Sequence, residues 1–202
     1  MDLLGALSAV DLWGFLAINR AGQNPLFDLL MPALSDKHSA LLPGAVAALA
    51  LLTWRGRRGA AVLLIAGIAV GLSDGGTTLL KDLFQRVRPC HVLPDVHLLV
   101  GCGRSLSLPS NHAANMFALA AVAWMTRIPG RTFLAALAAA VAYSRVYVGV
   151  HYPGDVLLGA AWGVLVGWVV SVAYLRVSQR VSFLGSLSEP GKEKKADSIL
   201  NQ

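Results

Sequence analysis

The chain has 202 residues, of which 55% are hydrophobic and only 14% are charged, and its mean hydropathy is +0.60. Because soluble domains carry roughly 25% charged residues, this composition excludes an ordinary soluble protein and indicates that lipid covers much of the surface. The formal charge of +6 does not indicate nucleic-acid binding, since most basic residues flank hydrophobic runs and form no stripe interleaved with aromatic residues.

Residues 1–38 predict an N-terminal amphipathic, interfacial segment. The apolar run at 3–19 is interrupted by Asp11 and is slightly short for a membrane span, and residues 24–36 have the pattern of an interfacial helix. The segment lacks the basic stretch and cleavage site of a removable signal peptide. We therefore expect the hydrophobic segments to remain in the mature protein.

Four later hydrophobic stretches approach or reach the roughly 20 residues that cross a bilayer, and a fifth is shorter. The four lie near residues 59–80, 110–126, 132–150 and 154–175, and the short one lies at 39–54. They predict an all-α polytopic membrane helix bundle of five transmembrane helices, or six if the N-terminal run also crosses.

The bundle forms one membrane domain at 39–177, followed by a polar cytoplasmic tail at 178–202 that we expect to be disordered. Small residues recur within the hydrophobic stretches and favour close helix packing in lipid. The glycines concerned are Gly67, Gly71, Gly159, Gly163 and Gly167.

Basic residues predict the orientation, because short cytoplasmic loops are enriched in Lys and Arg. Ten of the 17 fall in two loops and the tail that we assign to the inside: Arg55, Arg57, Arg58, Arg127, Arg131, Arg176, Arg180, Lys192, Lys194 and Lys195. The predicted location is therefore the cell (inner) membrane, with the opposite face towards the periplasm or the cell exterior.

Three polar clusters stand at predicted membrane boundaries on that outer face. They are KDLFQRVRP at 81–89, PSNH at 109–112 and SRVYVGVHYPGD at 144–155. The spacings K-x6-R-P, P-S-x-H and S-R-x5-H-x3-D resemble the three signature motifs of the type 2 phosphatidic acid phosphatase family. This resemblance covers roughly residues 60–176 and implies a membrane lipid phosphatase.

The residue types also indicate anion chemistry by themselves. Lys81 and Arg88 are seven residues apart and would share one face of a continuing helix, while Arg145 adds a third cation near the end of the next-to-last span. Converging cations suit a phosphoryl group, whose transfer depends on positioning and electrostatics. Taken singly, Lys81 and Arg88 could instead be anchors that extend to the membrane surface.

The second and third clusters supply the reacting groups. Ser110 occupies a helix N-cap position, so that the backbone N–H groups of Asn111 and His112 would form an anion site. Pro153 suits the first turn of the last span and places Asp155 just inside that helix. A carboxylate there can orient an imidazole and fix its tautomer.

The family resemblance implies a role for each of these residues. His151 would attack phosphorus, Asp155 would orient His151, and His112 would protonate the leaving oxygen. The phosphoryl oxygens would be held by Lys81, Arg88, Ser110, Asn111 and Arg145. Water then hydrolyses the phosphohistidine, and the reaction needs no metal or cofactor.

Asn111 departs from the family pattern, which commonly has Gly at this position, and its side chain could narrow the pocket or hydrogen-bond the substrate. For Asp74, within the second span, two roles stay open: a structural pair with a cation or support of the site. Cys90 and Cys102 share one outer loop, which favours a disulfide in an oxidising compartment, with two free thiols as the alternative.

The predicted function is hydrolysis of a phosphomonoester or diphosphate of a membrane lipid. Undecaprenyl diphosphate, phosphatidylglycerol phosphate, phosphatidic acid and lipid A phosphates all satisfy the pattern. Two alternatives stay open: a phosphotransferase that uses the same phosphohistidine, and a small non-enzymatic membrane transporter.

Overall fold

The computed structural model describes residues 3–36, 38–39 and 41–187, with the side chains of 5–36, 38–39 and 41–180. Among these residues all regular structure is helical, in agreement with the predicted all-α class. The helices are α1 Leu3–Leu16, continued by a π-helical turn Ala17–Ala21, α2 Pro25–Ser35, α3 Leu41–Phe84, α4 Pro89–Val92, α5 Asn111–Met125, α6 Arg131–Tyr147 and α7 Pro153–Leu187.

Two stretches in the described part of the chain are long and apolar enough to cross a membrane by length and composition, Leu41–Val92 and Pro153–Arg180. Helices α5 and α6 are shorter, with 15 and 17 residues. At a rise of 1.5 Å per residue they measure about 22 and 25 Å, somewhat less than a hydrocarbon core of about 30 Å.

The long helix α3 contains a sharp turn that divides it into two arms, 41–55 and 57–84. Gly56 has φ 51° and ψ −127°, a backbone conformation that only glycine adopts readily. The chain also crowds itself here, because a Cβ atom on Gly59 would lie 2.3 Å from the carbonyl oxygen of Leu51. The predicted segments at 39–54 and 59–80 therefore correspond to the two arms.

Helices α5 and α7 pack backbone against backbone. A Cβ atom on Gly159, Gly163 or Gly167 would lie 2.6, 2.0 or 2.5 Å from a carbonyl oxygen of α5 or its N-cap. Close packing at these three glycines is therefore confirmed. The same prediction is wrong for Gly67 and Gly71, because a Cβ atom on either would meet no described residue within 4 Å. Composition alone does not reveal which face of a helix meets a neighbour.

The N-terminal helices pack against the end of the bundle where α6 ends and α7 begins. Phe15 of α1 is fully buried, with its ring 5.5 Å from that of Tyr152. Phe27 of α2 packs edge-on against Tyr147 of α6 at 5.7 Å. The buried amide of Asn19 donates 2.7 Å to the carbonyl oxygen of Tyr147. This end of the bundle is therefore covered by the N-terminal segment.

The first part of the predicted tail, which we expected to be disordered, is helical. Helix α7 continues to Leu187, so residues 178–187 are helical. The physical reason is that residues 178–184, SQRVSFL, contain no Gly or Pro to interrupt the helical hydrogen bonds. The rest of the predicted tail, 188–202, lies outside the described residues.

The alternating direction of the helices assembles the three sequence clusters. The C-termini of α3 and α6 and the N-termini of α5 and α7 lie at one end of the bundle, where their polar residues line a common cavity. The loop 126–130, the turn at Gly56 and the C-terminal part of α7 belong to the opposite helix ends.

Candidate active site

A polar cavity of about 440 Å³ opens where the three clusters meet. It is lined by Thr78, Lys81, Asp82, Arg88, Arg104, Ser105, Leu106, Asn111, His112, Arg145 and His151. Six of the eight residues that the sequence predicts for catalysis and binding are in this lining, and Ser110 and Asp155 lie behind it. Four lining residues are cations and one is a carboxylate, so the cavity suits an anion.

Lys81 and Arg88 reach the cavity by a different route from the predicted one. Helix α3 ends at Phe84, because Gln85 takes a left-handed conformation with φ 48°. Arg88 is extended, with φ −70° and ψ 149°, as expected for a residue that precedes proline. The prediction of a continuing helix from Lys81 to Arg88 is therefore wrong, although both side chains are buried beside the cavity.

The guanidinium of Arg88 is held in a fixed orientation. Its Nε and Nη2 atoms donate to the backbone oxygen and hydroxyl of Ser105 at 2.7 and 2.9 Å, and Nη1 donates to the carbonyl oxygen of Val150 at 3.1 Å. Nη1 also lies 3.1 Å from Nε2 of His151. A cation with this many contacts is preorganised for an anion and loses little freedom when one binds.

Arg145, in the last turn of α6, is tied to the N-terminal segment. Its Nη1 atom donates 3.1 Å to the carbonyl oxygen of Ser35 at the end of α2, and Ser144 and Ser35 share a hydrogen bond of 3.0 Å. The Nε atom is buried and has no hydrogen-bond partner among the described residues. A buried charged donor without an acceptor is costly, and an anion in the cavity would satisfy it.

Ser110 occupies the N-cap position of α5, as predicted, but its side chain makes no capping hydrogen bond. Its backbone N–H donates 3.0 Å to the carbonyl oxygen of Asp155, which joins the starts of α5 and α7. The hydroxyl is buried without a partner among the described residues. His112, in the first turn of α5, lines the cavity.

His151 is buried, and its two ring nitrogens face different partners. A guanidinium can only donate, so the contact with Arg88 requires Nε2 to be an unprotonated acceptor and places the ring proton on Nδ1. Nδ1 lies 3.4 Å from Oδ2 of Asp155 and from Oγ of Ser107. Burial, with the charges of Arg88 and Arg145, lowers the pKa of His151 from 6.5 to about 3. The result is a neutral imidazole with its lone pair at the cavity.

Asp155 is fully buried in the first turn of α7 and has partners on both oxygens. Oδ2 accepts from the backbone N–H of Tyr152 at 2.8 Å and from the hydroxyl of Ser107. Oδ1 accepts from Nη1 of Arg86 at 2.9 Å. The carboxylate is therefore fixed with one oxygen towards His151.

Sequence reasoning missed the cation that holds Asp155. Arg86 also pairs with Asp11 of α1 and lies 4.1 Å above the ring of Tyr152. Asp11 in turn accepts 2.6 Å from the backbone N–H of Gly154 at the start of α7. The sequence offered one signal for this contact, namely Asp11, because an acidic residue within an apolar membrane segment is functional by default.

The loop between the first two clusters is closed by a disulfide between Cys90 and Cys102, the pairing that the sequence favours, with Cα atoms 6.2 Å apart. This loop supplies Ser105 to Arg88 and Ser107 to Asp155. The two serines are a second omission of the sequence analysis, since nothing in their local pattern distinguishes them from ordinary loop residues.

Among the described residues Asp74 forms no salt bridge, so the structural pair with a cation that the sequence left open is not made. Its Oδ1 atom accepts from Nδ2 of Asn111 at 2.8 Å and from Nδ2 of Asn115 at 3.3 Å. Asp74 is nevertheless exposed at the protein surface. It therefore links α3 to the start of α5 at the edge of the cavity.

An oriented neutral imidazole, a buried carboxylate behind it and a cationic cavity at the end of a helix bundle form an arrangement that suits the binding of an anion such as a phosphoryl group. Residues 60–179 match the model of the PAP2 superfamily, which is more than half of the chain. The chain belongs to this superfamily, in agreement with the resemblance seen in its motifs.

Two curated relatives illustrate the similarity. Decaprenylphosphoryl-5-phosphoribose phosphatase of Mycobacterium tuberculosis is 37% identical over 107 residues, which cover 53% of this chain and 58% of the relative. The chain therefore spans little more than half the length of that relative. Lipid A 4'-phosphatase of Porphyromonas gingivalis is 28% identical over 197 residues, 92% of this chain and 81% of the relative.

Two crystal structures share the fold. LpxE of Aquifex aeolicus superposes with a TM-score of 0.62 and 26% identity, over 82% of this chain and 96% of that chain. The transmembrane PAP2-type phosphatidylglycerolphosphate phosphatase of Bacillus subtilis superposes with a TM-score of 0.65 and 26% identity, over 85% and 88%. The Bacillus subtilis neighbour is thus a transmembrane protein of the same superfamily.

Proposed function

We propose that this protein is an integral-membrane lipid phosphate phosphatase that works through a phosphohistidine at His151. The observation that carries the proposal is the orientation of the His151 ring, with Nδ1–H towards Asp155 and the Nε2 lone pair at a cavity lined by four cations. The relatives named as phosphatases support the same reaction class.

In the first step Nη1–H of Arg88 exchanges its hydrogen bond with Nε2 of His151 for one with a phosphoryl oxygen. Nε2 then attacks phosphorus, and the bond from phosphorus to the leaving oxygen breaks. His112 gives a proton to that oxygen, which departs as an alcohol or as the shorter phosphate. The imidazole gains positive charge as the N–P bond forms, and the buried carboxylate of Asp155 stabilises it. Lys81, Arg88 and Arg145 balance the charge of the phosphoryl oxygens.

In the second step a water molecule attacks the phosphohistidine. His112, now unprotonated, accepts a proton from that water, the N–P bond breaks, and inorganic phosphate leaves. His151 returns to its neutral form with the proton still on Nδ1. The roles of both histidines and of the binding residues Ser110 and Asn111 remain parts of this proposal.

In this proposal the protein crosses the cell membrane five times. The five spans are the two arms of α3, then α5, α6 and α7. The site then faces the periplasm or cell exterior. Support comes from the basic residues, which concentrate at the helix ends opposite the cavity, as expected of a cytoplasmic face. The described ones are Arg55, Arg57, Arg58, Arg127, Arg131, Arg176 and Arg180.

The substrate is a lipid whose phosphate lies at the membrane surface, at the level of the cavity. Named relatives act on a phosphoribosyl lipid and on lipid A, and one structural neighbour acts on phosphatidylglycerol phosphate. Undecaprenyl diphosphate and phosphatidic acid also carry a phosphate at the membrane surface.

The decisive experiment is to trap the intermediate with a ³²P-labelled lipid phosphate. Wild-type protein quenched within one turnover should carry acid-labile, alkali-stable label, and His151→Ala should carry none. His112→Ala should lose activity on alkyl phosphates but retain much more on p-nitrophenyl phosphate, whose leaving group needs no proton. Full activity of folded His151→Ala would refute the proposal.

Two further measurements define the reaction type. Activity should persist in EDTA and fall with vanadate, because the cavity offers cations and N–H groups instead of the carboxylate cage of a metal site. Mg²⁺-dependent recovery after chelation would contradict this. Added alcohol should not divert the phosphoryl group; a phosphorylated alcohol as the main product would indicate a phosphotransferase.

A further inference from the structure

Asp74 lies on the helix face that forms one wall of the cavity, at a greater depth. Thr78 and Lys81 line the cavity, and Asp74 precedes them by four and seven residues, a spacing that puts all three on one face of α3. At 1.5 Å per residue, Asp74 sits about 6 Å further along the helix from the cavity mouth than Thr78. It therefore borders the hydrocarbon side of the phosphate site.

The carboxylate is held in place by two amides but makes no salt bridge among the described residues. Both amides, from Asn111 and Asn115, bind the same oxygen, Oδ1. No ion pair involves Asp74 in the described part of the chain, and the residue is exposed. An unpaired carboxylate within a membrane segment is expensive and marks a functional site. Oδ2 is therefore an acceptor in a fixed position beside Asn111, which itself lines the cavity.

A lipid phosphate enters this cavity in one orientation. Its terminal phosphoryl group meets Lys81, Arg88 and His151, and the rest of the molecule continues towards the hydrocarbon core. The atoms just beyond the leaving oxygen therefore come nearest to Asp74 and Asn111. Their chemistry decides whether a negative acceptor at this depth helps or hinders binding.

We infer that Asp74, positioned by Asn111 and Asn115, is a specificity-determining residue that accepts a hydrogen bond from a free hydroxyl on the leaving group. The preferred substrate is then a phosphomonoester of a hydroxylated lipid headgroup, such as a glycerol or sugar phosphate. A diphosphate is disfavoured, because its second phosphate would face the carboxylate. This inference rests on the proposed function and names the substrate class for that same site.

The test uses two substrates that differ only in the hydroxyl group. Lysophosphatidate carries a free 2-hydroxyl beside its phosphoester, and 1-acyl-propanediol 3-phosphate lacks it. Since a hydrogen bond to a charged group is worth about 1.5–3 kcal/mol, wild-type kcat/KM should be about 10- to 100-fold higher for lysophosphatidate. Asp74→Asn should bring this ratio close to one by lowering only the lysophosphatidate value.

Asp95→Asn is the matched control. It removes an equal charge from an exposed loop position outside the cavity, where Asn tolerates the left-handed backbone with φ 52°. Its ratio should equal that of wild type. With farnesyl diphosphate, Asp74→Asn should hydrolyse faster than wild type, and Asp95→Asn should not.

The outcomes separate this inference from the proposed function. Turnover of both lipids by wild type with equal kcat/KM overturns the inference and leaves the phosphatase intact. An unchanged ratio in Asp74→Asn does the same. If wild type hydrolyses neither lipid, the inference is overturned, and if it also leaves farnesyl diphosphate intact, the proposed function is overturned as well. The wild-type ratio needs no variant, so misfolding of Asp74→Asn does not remove the test.

Discussion

Arg86 should control the chemical step without touching the substrate. It lies outside the cavity lining and pairs with Asp155, the carboxylate behind His151. Asp155 is fully buried, and in the described part of the chain Arg86 is its one permanently charged ion-pair partner. Arg86→Met therefore leaves a buried charge uncompensated and the carboxylate less firmly oriented towards the imidazole.

The free-energy cost of Arg86→Met depends on how deeply Arg86 and Asp155 are buried. Removing one partner of a buried ion pair costs about 3–5 kcal/mol, whereas an exposed pair contributes at most about 1 kcal/mol. The side chain of Arg86 is 27% exposed and that of Asp155 is 0% exposed, which suggests an intermediate cost of about 2 kcal/mol. If this appears in the transition state, kcat falls about 30-fold.

The assay is steady-state hydrolysis in detergent with separate determination of kcat and KM. Arg86→Met should lower kcat and leave KM within about twofold, because Arg86 does not contact the bound substrate and acts only on the orientation of His151. Arg86→Lys should restore much of kcat. Asp11→Asn should lower kcat less than Arg86→Met does, since it removes the ion pair with Asp11 and leaves the ion pair between Arg86 and Asp155 in place. An unchanged kcat in Arg86→Met, or a loss confined to KM, would refute this account of the carboxylate.

Three other predictions concern stability. The pKa of His151 is about 3 in the folded protein and 6.5 in its ordinary state, so the protein takes up a proton when it unfolds at a pH between these values. The melting temperature should therefore fall as the pH drops from 6.5 to 4.5. The fall should be smaller in His151→Asn. Gly163→Ala should destabilise the protein by about 1–3 kcal/mol in thermal denaturation, because its Cβ would lie 2.0 Å from a backbone oxygen, whereas Gly67→Ala should be neutral or stabilising. Replacing Cys90 and Cys102 with Ser should cost about 3 kcal/mol relative to the disulfide-bonded wild type, for a loop of this length, and reduced wild type should be destabilised to the same extent. A destabilised Gly67→Ala, or equal pH profiles for wild type and His151→Asn, would contradict these arguments.

Some features of the site were predictable because local chemistry determines them. Pro153 at the first position of α7 places Asp155 one turn after His151, so that their pairing follows from four residues of spacing. The N-cap position of Ser110 and the disulfide likewise follow from residue type and spacing in the chain. The all-helical class followed from composition and from the length of the apolar stretches.

Tertiary structure alone decided the contacts between distant segments. The ion pairs that join Asp11 to Arg86 and Arg86 to Asp155 link residues 75 and 69 positions apart, and no local pattern encodes them. The same holds for Ser107, whose role depends on where a loop returns. These residues were missed because their function lies in the geometry between helices.

The glycines also show which features the local sequence determines and which depend on tertiary structure. The sequence determined that α7 carries small residues at four-residue spacing, and hence one face on which backbones can approach. It did not determine that Gly67 and Gly71 of α3 would have no described residue within 4 Å of their Cβ positions, because the rotation of a helix about its axis is set by packing of the whole bundle. The local sequence determines which segments form helices, whereas the packing of the assembled core determines which helix faces contact each other.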